Sequence, residues 1–256
     1  MTKPTLEVKS GFSRLRVDLT YDGSNFSGWA KQPGLRTVQE EFETALATLT
    51  RSEVFTIVAG RTDAGVHAKQ MFAHLDVEQE IDTEKLVYKL NALLPKDISV
   101  AKIFAVSDEA HARFDASKRT YEYHIHTQKN PFLTALSWYY QQTLDVDLMN
   151  EAAKLLLKYS DFQCFSKVHT DVATFDCAIV EAHWTQQQEE LVFTISADRF
   201  LRNMVRAIVG TLINVGLHKT SLAEFEQIIR NKNRSEAGFS VPAHGLYLTQ
   251  IEYPYC

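Results

Sequence analysis

An arginine and an aspartate stand two positions apart in a glycine-flanked stretch, Gly60–Ala68, which reads GRTDAGVHA. Apolar runs precede and follow it, so we predict a loop between two strands. Glycines allow a sharp turn and the close approach of a ligand, and an aspartate beside an arginine stays ionised because the opposite charge favours the carboxylate. The loop could therefore present Asp63, with Arg61 beside it, as a nucleophile or general base. The alternative is a plain ion pair that caps a strand.

Six segments, taken together, resemble the signatures of the tRNA pseudouridine synthase A family. Besides GRTDAGVHA they are YDGSNFSGW at 21–29, HARFDA at 111–116, KRTYEY at 118–123, FLRNMVRAIVG at 200–210 and GLYL at 245–248. They occur in order and cover nearly the whole chain. Two positions depart from the family pattern: Ala30 replaces the usual Gln, and His244 stands where Glu often precedes GLYL. Both departures lie outside the residues expected to do chemistry.

The resemblance implies an enzyme that isomerises uridine to pseudouridine, with Asp63 as the catalytic carboxylate. It implies that Arg206 pairs with Asp63 and that Tyr121 lies against the target base, where it could stack or relay a proton. Arg61 would contact the RNA backbone and help hold the nucleotide out of its stack, an extrusion that costs a few kcal/mol. The residues expected to bind substrate are Arg61, Arg113, Tyr121 and Arg202.

The reaction itself requires no cofactor. It breaks an N-glycosidic bond and forms a carbon–carbon bond to the same ribose, with no gain of electrons or groups. It requires a carboxylate at the sugar–base junction and exclusion of water, since the detached base would otherwise be lost. Asp63 could attack the base, attack the sugar or remove a sugar proton. The pairs Asp63/His67 and His124/His126 have spacings found among metal ligands, but no HExxH motif or dense carboxylate cluster accompanies them, so no metal is expected.

Composition fits a cytoplasmic enzyme. The chain has 256 residues, 45% of them hydrophobic, and no apolar run approaches the roughly 20 residues that span a bilayer. The first residues have no signal-peptide core. Three widely spaced cysteines, Cys164, Cys177 and Cys256, indicate a reducing compartment.

The charge distribution matters more than the net charge of -5, which alone argues weakly against nucleic-acid binding. A positive cleft on an acidic protein still binds phosphates, because the local field governs contact. The alternative is a mixed, solvated surface. The basic clusters are Arg14/Arg16, Lys118/Arg119, Arg199/Arg202/Arg206 and Arg230/Lys232/Arg234.

Periodicity predicts the order β-α-β-β-α-β twice. The first half begins with a strand whose inward residues are Leu15, Val17, Leu19 and Tyr21. A helix follows behind a Thr37–Glu40 capping box, and strands lie on both sides of the Gly60–Ala68 loop. A helix from Asp82, with Leu86, Leu90 and Leu93 on one face, then precedes a strand from Ile98. The second half begins with an alternating strand, Tyr121–Ile125, and a helix with Leu148, Ala152, Leu155 and Tyr159. Two alternating strands, Ala178–Trp184 and Leu191–Ala197, precede a helix that carries Arg202 and Arg206 on one face. A helix behind a capping box at Ser221 and a strand at 246–251 complete this half.

We therefore predict an α+β fold of two split-βαβ halves, similar to ferredoxin or RRM domains. Residues 1–110 would carry the catalytic loop and residues 111–256 would complete the cleft, joined near 107–117 without a flexible linker. The resemblance implies the pseudouridine synthase fold, in which two antiparallel sheets join into one sheet with a central RNA-binding cleft.

Two functions follow. The first is a synthase that acts on the tRNA anticodon stem-loop. The resemblance implies uridines at positions 38 to 40 and a homodimer in which one subunit grips the tRNA while the other reacts. The second is a catalytically silent RNA-binding module of the same fold. An intact set of Arg61, Asp63, Tyr121 and Arg206 favours the enzyme, because a pure binding module has no need of a buried acid.

Overall fold

The computed structural model describes residues 8, 11–78, 81–168 and 172–255, so Cys256 lies outside the described part. Within that part there are nine strands and five helices. The strands are β1 Ser13–Tyr21, β2 Ile57–Val58, β3 His67–Val77, β4 Ile98–Ala105, β5 Lys118–His126, β6 Trp138–Tyr139, β7 Ile179–Gln187, β8 Glu190–Ala197 and β9 Leu246–Glu252. The helices are α1 Val38–Thr50, α2 Thr83–Leu93, α3 Val146–Leu156, α4 Met204–Gly216 and α5 Leu222–Asn231. This order confirms the α+β class and the repeated β-α-β-β-α-β pattern.

The chain forms two compact units. The first comprises the residues up to Ser117 together with those from Leu248 onward, and the second is Lys118–Tyr247. The chain therefore passes from the second unit back to the first within β9. No helix of the described residues combines the length and apolar character needed to cross a bilayer.

The sheet of the first unit has the strand order β4-β1-β3-β9, with β2 beside β3. Strand β1 runs antiparallel to both β3 and β4. The inward residues Leu15, Val17 and Leu19 are buried as predicted. Arg14 and Arg16 on the other face are also buried. The polar face of β1 is therefore covered near the start of the strand, while Asp18 and Thr20 stay partly exposed.

Helix caps and spacing explain the two helices of the first unit. Thr37 caps α1, its hydroxyl accepting from the Glu40 amide at 3.4 Å. Asp82 caps α2, and Leu90 is fully buried, but Leu93 is about half exposed at 48%. The prediction that Leu93 faces inward was wrong. Leu94, one residue beyond the helix and four after Leu90, takes that place and is buried.

The sheet of the second unit has the order β5-β8-β7, with the short β6 parallel to β5. The predicted inward residues of β8 are buried. In β7 the register shifts between Ile179 and Glu181. Ile179 is buried while Val180 is 59% exposed, so the predicted alternation was wrong at this end. The bulge adds one residue and reverses the facing of what precedes it.

The helices of the second unit differ in how much they bury. The inward face of α3 is centred on Met149, Ala152, Ala153 and Leu156, one residue away from the predicted stripe. Helix α4 is buried on nearly all sides. Helix α5 begins with the predicted capping box, in which Ser221 and Glu224 exchange side chain–backbone hydrogen bonds.

Candidate active site

Asp63 lies half-buried in the loop between β2 and β3. The Val66 amide donates to the Asp63 carbonyl at 3.2 Å and closes a tight turn. Gly65, inside this turn, has a φ of +77°, a conformation that residues with a Cβ rarely adopt. Gly60 is different, because its φ is not in that region and a Cβ there would meet nothing within 4 Å. Only the second glycine is required by the turn.

The segment Tyr21–Trp29 contacts the Asp63 loop along its length. The Trp29 amide donates to the Thr62 carbonyl, and the Gly65 amide donates to the Phe26 carbonyl, both at 3.2 Å. The hydroxyls of Tyr21 and Thr62 are 2.8 Å apart and share a hydrogen bond. The two motifs that stood apart in the sequence therefore form one structural unit around Asp63.

Two glycines of that segment allow the backbones to touch. A Cβ on Gly23 would lie 2.0 Å from the Val66 carbonyl oxygen. A Cβ on Gly28, whose φ is +91°, would lie 2.6 Å from the Thr62 oxygen and 3.1 Å from the Asp63 carbonyl carbon. Cβ contacts under 3.0 Å do not occur, so any larger residue at these positions must displace the Asp63 loop or the segment that lies against it.

His67 closes the same contact from inside. Its ring is buried, and its Nδ1 accepts the Gly23 amide at 3.1 Å. Nearby, burial opposes ionisation of Asp22, but hydrogen bonds from the Ser24 hydroxyl and amide outweigh it and lower the pKa of Asp22. His67 thus supports the loop scaffold. Across the residues that the structure describes, no group of three or more His, Cys, Asp or Glu is placed to hold a metal ion.

Tyr121, the aromatic candidate, lies on β5 in the second unit. It is half-buried, while Tyr123 and Ile125 on the same strand are fully buried. The rings of Tyr121 and Phe200 pack edge to face, with their centroids 5.1 Å apart. Sequence reasoning missed Phe200 as a supporting side chain, although it begins the segment that carries Arg206.

Arg206 is half-buried on α4 and is held by the chain that follows α5. Its Nε donates to the Val241 carbonyl at 2.7 Å, and its own carbonyl accepts the Val241 amide at 3.3 Å. This segment lies directly on the helix, since a Cβ on Gly210 would lie 1.8 Å from the Phe239 carbonyl oxygen. No pattern in the sequence indicated Val241 as the anchor, because a backbone acceptor leaves no side-chain signature.

Arg202 does not share a helical face with Arg206, so that prediction was wrong. Helix α4 begins at Met204, after Asn203 with a left-handed φ of 66°. Arg202 therefore precedes the helix, in an exposed turn. Asn203 is fixed by a 2.7 Å hydrogen bond from its Nδ2 to the Ser240 hydroxyl.

The C-terminal GLYL motif meets the β5 motif at Tyr123. A Cβ on Gly245 would lie 2.8 Å from Tyr123 Cζ, and the Tyr123 hydroxyl donates to the Pro242 carbonyl at 2.8 Å. Burial raises the pKa of Tyr123 above its ordinary value, although the charge of Arg206 acts in the opposite direction. His244, one of the two departures, lies in the short 3-10 turn Ala243–Gly245.

The predicted site residues are distributed over both units. Asp63, exposed Arg61 and exposed Arg113 belong to the first unit. Tyr121, Arg202 and Arg206 belong to the second. The pairing of Asp63 with Arg206 and the individual catalytic and RNA-binding roles stay predictions.

Comparison with known proteins gives concordant results. The family model described as tRNA pseudouridine synthase matches residues 19–115 and 152–254. The tRNA pseudouridine synthase A of Parabacteroides distasonis is 53% identical over 242 residues, which cover 94% of this chain and 96% of the relative. The protein of the same name from Bacillus subtilis is 41% identical over 244 residues, covering 94% of this chain and 99% of the relative.

The matched residues include the Asp63 loop and the start of α4, whereas β5 with Tyr121 lies between the two matched ranges. The two matched elements hold the candidate carboxylate and the arginine. The chain belongs to the tRNA pseudouridine synthase family, a family of isomerases.

Proposed function

We propose that this chain converts uridine to pseudouridine in the anticodon stem-loop of tRNAs, at positions 38 to 40, as its resemblance to the tRNA pseudouridine synthase A family implies. The observation that carries the proposal is the Asp63 loop. Gly23 and Gly28 of a distant motif allow close backbone contact with this loop. A Cβ on either glycine would lie only 2.0 Å or 2.6 Å from a carbonyl oxygen of the loop. Holding a half-buried carboxylate so tightly suits chemistry that depends on its position.

Asp63 acts at the sugar–base junction in this proposal. Tyr121 lies against the target base, supported from the side by Phe200. Arg206 pairs with the Asp63 carboxylate and orients it. Its guanidinium, anchored through Nε at Val241, is a planar group with further N–H donors, enough to engage a carboxylate.

The partner in this proposal is tRNA, bound by a homodimer in the cytoplasm. Arg61, Arg113 and Arg202 are exposed and therefore accessible to phosphates. Such contacts give an affinity that falls with salt concentration. One subunit would grip the tRNA body while the other reacts, so the active species should sediment as a dimer in analytical ultracentrifugation.

The direct test is to map pseudouridine in tRNA from cells that lack the protein. We expect uridine at positions 38 to 40 in the deletion strain, pseudouridine after complementation with the wild type, and uridine after complementation with Asp63→Asn. Loss of pseudouridine elsewhere in tRNA, with positions 38 to 40 intact, would preserve the enzyme class and reject the proposed site. Unchanged tRNA would reject the proposed activity.

A further inference from the structure

A turn between β4 and β5, residues 108–116, is held by side chains of the first unit's sheet. Ala110, His111, Ala112 and Ala116 are buried, whereas Arg113 is exposed. The turn thus presents one arginine to solvent from an otherwise anchored backbone.

Arg14 from β1 fixes the start of this turn. Its Nη1 donates to the carbonyls of Asp108 at 2.6 Å and Ala110 at 3.0 Å. The guanidinium is in turn paired with Asp76 on β3, through Nε at 2.7 Å and Nη2 at 2.9 Å. A planar five-donor group can bind two carbonyls and a carboxylate together, which an ammonium group does less well.

His74 from β3 fixes the residue immediately before Arg113. Its Nδ1 accepts the Ala112 amide at 3.0 Å. The Tyr253 hydroxyl donates to the Ala112 carbonyl at 2.6 Å. Both backbone polar groups of Ala112 are therefore bound by side chains that the sheet and the C-terminal segment supply.

His111 fixes Arg113 itself. Its Nδ1 accepts the amides of Arg113 at 3.1 Å and Phe114 at 3.2 Å. The His111 amide donates to Asp115 Oδ2 at 2.6 Å. The His74 and His111 rings meet edge to face with centroids 4.9 Å apart, so the two anchors of the turn support each other.

A histidine at position 74 lowers the stability of the fold, which indicates a functional reason for its presence. Its Nε2 is buried and has no hydrogen-bond partner among the described residues, and a buried polar group left this way costs about 1–3 kcal/mol. An apolar residue would avoid that cost but could not accept the Ala112 amide. Burial, followed by the charge of Arg14, lowers the pKa of His74 to about 4, so the ring is neutral near pH 7 and Nδ1 is available as an acceptor.

We propose that His74, together with Tyr253, is a positioning residue for tRNA binding: it fixes the backbone at Ala112 so that exposed Arg113 meets a tRNA phosphate at a set place. This inference rests on the proposed function. A guanidinium on an anchored backbone loses less conformational freedom on binding than one on a mobile loop, and that difference appears as affinity.

The experiment compares variants by steady-state kinetics with tRNA at two salt concentrations, and by thermal unfolding. His74→Leu removes the acceptor, whereas His74→Asn places an amide oxygen where Nδ1 stood. Tyr253→Phe removes only the donor to the Ala112 carbonyl. Asn91→Ala is the matched control, because Asn91 likewise binds both backbone groups of one residue, Val100, at 2.8 Å in the same unit.

We expect Arg113→Ala and His74→Leu each to raise KM for tRNA about tenfold, the size of one charge-assisted hydrogen bond, with kcat within about threefold of wild type. Tyr253→Phe should raise KM by a smaller factor, and His74→Asn should restore most of the loss. In the Arg113→Ala background, His74→Leu should add less than about twofold, since residues that act through one contact are not additive. Asn91→Ala should leave KM unchanged.

If the KM increases of His74→Leu and Arg113→Ala multiplied fully in the double variant, the proposal would be overturned. An unchanged KM in folded Tyr253→Phe and His74→Leu would also overturn it. A fall in kcat alone would assign His74 a different role. In each of these cases wild-type protein still forms pseudouridine, so the proposed function stands. A wild-type protein that forms none in any tRNA would reject the function first.

Discussion

The Asp63 loop and the Arg206 helix are held in place by different means. Asp63 is positioned by backbone lying on backbone, with Gly23 and Gly28 leaving no room for a Cβ. Arg206 is positioned by its own side chain, through one hydrogen bond from Nε to the Val241 carbonyl on a buried helix. The Asp63 carboxylate is thus positioned by residues that do no chemistry, whereas Arg206 is positioned by a hydrogen bond from its own guanidinium.

This difference predicts different tolerances to substitution. The Asp63 loop should respond to any added atom in its glycine contacts, whatever the chemical character of that atom. The Arg206 position should respond to the geometry of the cation, and charge alone should not suffice. Both expectations can be tested with conservative variants.

Arg206 should show the largest effect. Arg206→Ala removes the proposed partner of Asp63, and we expect turnover to fall about 10³-fold, in the range found for the loss of one preorganised charge-stabilising donor. Arg206→Lys keeps the charge but has no Nε to bind Val241, so we expect a fall of about 10²-fold. Single-turnover kinetics with saturating enzyme measure both. A lysine variant near wild type would show that charge alone is sufficient here.

Gly23→Ala should have the next largest effect. A Cβ at 2.0 Å from the Val66 oxygen must separate the Asp63 loop from the Tyr21–Trp29 segment, and we expect the loop to move, since a displacement of about 1 Å can reduce turnover about 10²-fold. Binding of tRNA, measured by filter retention, should change less than about threefold. Gly60→Ala is the control, since open space surrounds that position. Equal losses of turnover in Gly23→Ala and Gly60→Ala would show that the close backbone contact at Gly23 is not what positions the Asp63 loop.

Arg202→Ala should have a smaller effect, confined to binding. Arg202 is exposed and precedes α4, so its proposed role is a phosphate contact. We expect tRNA affinity to fall several-fold and the salt dependence to weaken by about one unit of slope, with single-turnover rate unchanged. Loss of chemistry in Arg202→Ala, with Arg206→Ala near normal, would reverse the two roles.

The last expected effect is on stability rather than on activity, and it depends on His74. Its folded-state pKa of about 4 lies below the ordinary histidine value of 6.5, so the unfolded chain binds the proton first. Stability should therefore fall as pH decreases from about 6.5 towards 4, by up to about 3 kcal/mol for this residue. The groups that face the ring are Arg14, His111, Asp76 and Asp115.

Denaturant unfolding at several pH values measures this dependence. Because nearby carboxylates titrate in the same range, the comparison is with His74→Asn, which should lose part of the slope between pH 6.5 and 4. Identical slopes in the two proteins would show that His74 is not held neutral in the folded state.

The sequence predicted elements better than it predicted their edges and surroundings. Strand β8 and the capping box at Ser221 follow from local pattern alone and are confirmed. The reversed facing of Val180 comes from a bulge, and the start of α4 after Asn203 depends on a left-handed residue that a helical pattern does not reveal. The return of the chain's end to the first unit is a long-range contact that periodicity cannot indicate.

The candidate site shows the same limit. Motif resemblance named Asp63, Tyr121 and Arg206, but the groups that hold them are mostly backbone atoms or small residues. The Val241 carbonyl and the glycine contact at position 23 act through shape, and neither has a chemical signature in a single sequence. Physical support of a site is therefore less visible in sequence than the site itself.

Pseudouridine formation by Asp63→Asn tests the catalytic role of Asp63 most directly. The amide keeps the volume of the side chain but removes its charge and most of its basicity. We expect no detectable pseudouridine in a prefolded anticodon stem-loop, with affinity for the RNA largely kept because phosphate contacts dominate it. Asp82→Asn, a carboxylate change at the cap of α2 where asparagine caps equally well, should behave as wild type. Turnover of Asp63→Asn within about tenfold of wild type would contradict the assignment of Asp63 as the catalytic carboxylate.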